Sequence, residues 1–257
     1  MSWGFENRMN TLIPNGRSVM LAIDHGYFLG PITGLSNPYQ TVEKLLPYTD
    51  SLFLTRGALK CMPKELTTPI SLRISGGPSV LNDLANEELV TSVKDAVRQN
   101  AVAVGVSTFI GSQFETKTVN NLARAVTEAH EYDLPVLGIT AVGKELEKRD
   151  ARFLSLASRI LAEIGADIVK TYYCDEFEKV TSTCPVPIVI AGGPKFDTIE
   201  EAFEIAYRAL QEGAVGVDMG RNIWQSNNPL GMIKGINGIV HGGLTVKEAT
   251  ELYESTS

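Results

Sequence analysis

The chain has 257 residues, 44% hydrophobic and 21% charged, with a formal net charge of −7. It is long enough to bury most of its apolar surface without disulfides or metals as staples. The acidic balance speaks against a nucleic-acid surface, which needs a basic stripe, but leaves room for an anionic small molecule held by a few local donors.

Cys61, Cys174 and Cys184 are odd in number and form no CxxC pair, so neither a disulfide framework nor a structural zinc site is expected. A reducing, cytoplasmic setting fits best. The start, MSWGFENRMN, has no long apolar run and reads as neither signal peptide nor anchor. No later run is long enough to span a bilayer, so no membrane partner is expected.

In chain order, short apolar runs alternate with longer amphipathic ones, the pattern of a parallel sheet wrapped in helices. Strands are predicted over Val19–Ile23, Leu52–Thr55, Ile70–Ile74, Val102–Val106, Val136–Thr140, Asp167–Tyr172, Ile188–Ala191 and Val215–Met219. Helices are predicted over Glu88–Gln99, Val119–Tyr132, Ala151–Ile164 and Ile199–Glu212. Gly165 and Gly213 read as helix stops before the next strand. Eight strands with alternating helices predict one (β/α)₈ (TIM) barrel domain over residues 1–257. A doubly wound sheet would advertise a glycine-rich fingerprint after its first strand, where this chain has Asp24-His25-Gly26.

Barrel enzymes carry their chemistry at the C-terminal ends of the strands. There the sequence puts Asp24 and His25, then Thr55 and Arg56, Arg73 and Ser75, and Thr140. Lys170 and Tyr172, Gly192-Gly193 and Gly220-Arg221-Asn222 follow. Lys170 is the sharpest signal, because strands are poor in lysine and this one is otherwise apolar. Facing inward it would be desolvated, its amine freed to attack a ketone and form an iminium. The alternative is a rim lysine, or an ion pair with an acid such as Asp24. Asp24 could pair with that lysine or shuttle protons, or merely cap a turn; His25 could join it or bond the backbone. Tyr172 shares the strand face of Lys170 and could donate a proton, whereas Tyr173 should face the helices. Gly192, Gly193, Gly220 and Arg221 together suggest a phosphate site after the last two strands. Cys174 lies beside Asp175 and Glu176, which disfavour a thiolate, and reads as a small buried thiol. His25, His130 and His241 form no ligand-spaced pair, so no metal is expected.

Four segments carry a resemblance: Leu21 to Pro31, Ile168 to Tyr173, Ile190 to Gly193 and Gly216 to Ile223. Together they are similar to the class I, Schiff-base aldolase family of the DeoC and archaeal fructose-bisphosphate aldolase type. Thr55-Arg56-Gly57 and the stretch from Cys184 to Gly193 resemble in particular its thiolase-like branch, which handles a phosphorylated dione. The resemblance implies a barrel and a Schiff base on Lys170. It implies Asp24 in the active site, a phosphate at the glycines of strands seven and eight, and a homo-oligomer, often a decamer of two rings. Arg56 and Thr140 are counted with the substrate-binding residues. The aldolases carry an acid/base tyrosine after strand five, where this chain reads Thr140-Ala141-Val142-Gly143.

The expected function is therefore carbon–carbon bond chemistry on a phosphorylated ketone. Foremost is acetyl transfer to coenzyme A as co-substrate, with no bound cofactor. A fructose-bisphosphate-type aldolase or transaldolase-type synthase is the second reading. A sugar-phosphate-binding regulator is the non-enzymatic one.

Overall fold

The computed structural model describes residues 2–141 and 149–256. Eight parallel strands close into a barrel: β1 (Ser18–Ala22), β2 (Ser51–Thr55), β3 (Ile70–Arg73), β4 (Ala103–Thr108), β5 (Val136–Thr140), β6 (Ile168–Tyr172), β7 (Ile188–Ala191) and β8 (Gly216–Met219). Each pairs with its chain neighbours, and β1 closes on β8 with Ser18 opposite Gly216 and Leu21 opposite Met219.

Strand alternation separates two cores. Met20, Ala22, Phe53, Ala103, Leu137, Ile139, Ile168 and Val189 point inward and fill the barrel. Val19, Leu21, Leu52, Leu54, Val136, Val169, Ile190 and Val217 point outward into the helix layer. Leu12, at the end of the helix Trp3–Leu12, joins the inner cluster beside Ile13, Val102 and Val215, which precede their strands. That helix thus plugs the N-terminal end of the barrel, and the opposite end is left for chemistry.

The outer helices are amphipathic and well capped. Glu115–His130 buries Leu122, Ala125, Val126 and Ala129. Thr198 and Glu201 form a capping box on Ile199–Gln211. Gly165 and Gly213 end their helices at φ +108° and +101°, conformations costly for any residue with a Cβ. The expected helix Glu88–Gln99 is shorter, Val93–Arg98, because Ser92 caps its start by accepting from Asp95 N. The preceding Glu88–Leu89 pairs antiparallel with Ser75–Gly76 instead, and Val90 and Thr91 donate to Ile74 O. This detour brings Glu87 over the barrel mouth. Among the described residues no helix is long and apolar enough to cross a membrane.

Candidate active site

A cavity of about 230 Å³ opens at the C-terminal end of the strands, floored by Ala22 and Ile139. On β6, Ile168 faces inward, so Lys170 two residues on does too. Lys170 is 8% exposed, and its Nζ lies 2.8 Å from Asp218 Oδ2 and 5.2 Å from the centre of the Phe53 ring. Asp218 comes from β8, with no side-chain exposure. Its Oδ1 is buried with no hydrogen-bond partner. Burial, opposed by Lys170, raises the Asp218 carboxyl above its ordinary pKa. The buried acid paired with Lys170 is therefore Asp218, not the Asp24 weighed from sequence.

Asp24 has another partner. Arg73, buried on β3, donates from Nη1 to Asp24 Oδ2 at 3.0 Å and from Nη2 to Glu87 Oε1 at 2.8 Å. It also donates to Ser107 Oγ at 2.6 Å and, from Nε, to Ser75 O at 3.0 Å. Glu87 accepts from Tyr27 Oη and from Ser75 Oγ, each at 2.6 Å. The Tyr27 ring lies 4.1 Å from the Arg73 guanidinium carbon. Burial alone would push the Asp24 carboxyl up; Arg73, then His25 and Lys170, outweigh it and hold it below the ordinary carboxylate range. A guanidinium between two carboxylates thus keeps Asp24 charged at the edge of the cavity.

His25 Nδ1 is 3.6 Å from Asp24 Oδ1 and makes no hydrogen bond. Burial pushes its pKa down to about 4 against the pull of Asp24, so the imidazole is neutral near pH 7. Trp224 holds the ring edge-on, with centroids 5.6 Å apart, and is itself anchored by Nε1 donating to Ala22 O at 3.0 Å. Gly220 allows this packing: a Cβ there would stand 2.6 Å from His25 Cε1 and 2.5 Å from Ala22 O.

The rim is basic. Arg221 donates from Nη2 to Gly193 O at 3.0 Å, and Asn222 Nδ2 to Gly192 O at 2.9 Å. The Arg149 guanidinium carbon lies 3.7 Å from the centre of the Tyr172 ring. Both arginines keep a buried Nε without a hydrogen-bond partner. Burial and the nearby Arg149 charge pull Arg221 below its ordinary pKa. Two cations held together, lined by Gly192, Gly193 and Gly220, make a site prepared for an anion.

The structure therefore gathers Lys170, Asp24, His25, Tyr172, Gly192, Gly193, Gly220 and Arg221 around one cavity. Two expected site residues lie elsewhere. Arg56 begins a short helix after β2 and points away, its Nη1 3.1 Å from Asp95 Oδ2 and its side chain half exposed. Thr140 has the outward parity of β5: its hydroxyl donates to Thr171 Oγ1 at 2.8 Å, behind the barrel wall. Val142 and Gly143, part of the segment set against the aldolase tyrosine, lie outside the described residues. Tyr173 turns to the helix layer and donates to Glu212 Oε1 at 2.8 Å. Burial, then Asp175, pushes the Cys174 thiol up to about 11, far from a thiolate nucleophile.

Sequence reasoning passed over Asp218, Glu87 and Arg149 and gave Arg73 no role. Asp218 carried a usable signal, a charge inside the apolar run Val217-Asp218-Met219, the same anomaly that marked Lys170. Glu87 and Arg149 lie in connecting segments, where a charge is unremarkable in sequence.

An ion-paired lysine at the C-terminal end of a closed parallel barrel, beneath a basic rim, is the arrangement of a barrel enzyme. The chain belongs to the DeoC/LacD aldolase family, whose sequence model matches residues 18–226. It is 46% identical over 258 residues to a 3-hydroxy-5-phosphonooxypentane-2,4-dione thiolase of Enterobacter sp. (strain 638), covering 99% of this chain and 87% of that protein. An archaeal fructose 1,6-bisphosphate aldolase superposes with TM-score 0.83 at 28% identity, covering 93% of this chain and all of the other. A structure of an archaeal fructose-1,6-bisphosphate aldolase, with its catalytic lysine covalently bound to the carbinolamine intermediate of the substrate, superposes with TM-score 0.81. It shares 28% identity, over 92% of this chain and 99% of that one.

Proposed function

We propose that this enzyme transfers the acetyl group of 3-hydroxy-5-phosphonooxypentane-2,4-dione to coenzyme A and releases dihydroxyacetone phosphate. The observation that carries the reading is Lys170, inward-facing and ion-paired at the bottom of a cavity whose mouth is lined by Arg149 and Arg221. The name of the thiolase relative supports the substrate, and the carbinolamine of the archaeal aldolase supports the chemistry.

The substrate's phosphate would sit against Arg221, Arg149 and the glycines of the rim, which places the adjacent ketone at Lys170. Lys170, once deprotonated, attacks that carbonyl, and loss of water gives an iminium. The coenzyme A thiolate then adds to the acetyl carbonyl. The carbon–carbon bond breaks, acetyl-CoA leaves, and the bonding pair moves into the iminium to form an enamine. Protonation of the enamine carbon and hydrolysis return Lys170 and dihydroxyacetone phosphate. Neutral His25 is the available base beside the ionised Asp24. Tyr172, pinned by Arg149, borders the same space. A homo-oligomer and a cytoplasmic setting go with this reading; Cys61, Cys174 and Cys184 are all free thiols, which suits a reducing compartment.

The test supplies authentic phosphorylated dione with and without coenzyme A. Acetyl-CoA should form only with both, and Lys170→Met should abolish it. Rapid cleavage of fructose bisphosphate with no acetyl-CoA would overturn the thiolase reading in favour of an aldolase.

A further inference from the structure

An ammonium cannot attack a carbonyl, so a proton must leave Lys170 before the first bond forms. We infer that Asp218 receives that proton and gives it back when the carbinolamine loses water, making it a catalytic residue in its own right. This rests on the Schiff-base reading above.

The contacts divide the work between the two aspartates. Asp24 Oδ2 is already bonded to Arg73, itself tied to Glu87, Ser107 and Ser75. Protonating Asp24 would strand the guanidinium with one carboxylate fewer. Asp218 has no such rival: the amine of Lys170 at 2.8 Å is its ion-pair partner, and Oδ1 has no donor at all. A carboxylate buried so completely is poorly stabilised, and taking a proton across that short contact relieves it. Burial raising the Asp218 pKa agrees with this direction.

The charges balance at every stage. The resting pair is carboxylate and ammonium, and the reactive pair is carboxylic acid and amine; both are neutral overall. After attack, the nitrogen gives one proton to the alkoxide. Asp218 then protonates the departing hydroxyl, which leaves as water. The product pair is carboxylate and iminium, again neutral. No step adds net charge to the barrel interior, where an unpaired charge is costly.

The competing role is a passive counter-ion that merely keeps Lys170 protonated, and the two predict opposite effects of removing the carboxylate. The experiment is borohydride capture of dihydroxyacetone phosphate on Lys170, followed by peptide mass spectrometry, in the full chain and in Asp218→Asn. If Asp218 is the acceptor, capture near pH 7 slows by roughly 10²-fold or more, the scale of general acid–base catalysis, while the ketone phosphate binds with unchanged Kd. Capture as fast as wild type, or faster, overturns the inference while leaving the Schiff base standing. No capture in the wild type overturns the Schiff-base reading and this inference with it. A second variant, Asp218→Ala, guards against misfolding of the first. Formate restoring its capture where equal chloride does not supports proton transfer; equal restoration by chloride overturns it.

Discussion

Replacing Arg73 by Met isolates the electrostatics that hold the cavity in shape. Methionine keeps much of the volume but removes every donor, cutting the bonds to Asp24, Glu87, Ser107 and Ser75 O. Asp24 and Glu87 stay behind at 6% and 1% exposure. Breaking a buried ion pair from one side costs about 3–5 kcal/mol, because the remaining charge is uncompensated. In a domain of this size that lowers Tm by roughly 10 °C. Adding Glu87→Gln removes one stranded charge while keeping an acceptor for Tyr27 and Ser75. The double variant should therefore be more stable than the two single losses summed, with a coupling of about 1–3 kcal/mol. Thermal and urea unfolding of wild type, both single variants and the double variant measure this. If Arg73→Met melts with the wild type, or the losses simply add, the guanidinium is not what holds the two carboxylates.

Two other predictions test the assignments at the site's edges. His25 is neutral in the fold with a pKa of about 4 against an ordinary 6.5, so between those values the unfolded chain binds more protons than the native one. Stability should fall as pH drops from 6.5 towards 4, by about 3 kcal/mol from this residue; His25→Asn should flatten that part of the curve, and a denaturation series showing the same slope in both proteins would refute it. Arg56→Ala and Thr140→Val should keep wild-type kcat/KM, since neither side chain reaches the cavity, while Thr140→Val costs about 1 kcal/mol by stranding the Thr171 hydroxyl; a large kinetic loss in either would return that residue to the site.

Local pattern determined the framework. All eight barrel strands were legible within two residues of their ends, because alternating short apolar runs and amphipathic stretches are properties of adjacent residues. Lys170 and Tyr172 were legible as one strand face, because side chains alternate across a strand. The same parity sets Thr140 outward with Gly138, but its place at a strand end suggested the rim. Only the closed barrel decided partners. Asp24, just beyond β1, and Asp218, within β8, look alike as acids beside apolar strand residues; Arg73 claims the first across the mouth, and Lys170 claims the second across the interior. Those contacts join residues 49 and 48 positions apart in the chain, Asp24 with Arg73 and Lys170 with Asp218. No local periodicity encodes which acid meets which base. The curvature of the closed sheet sets that pairing, and with it the direction in which each acid's pKa moves.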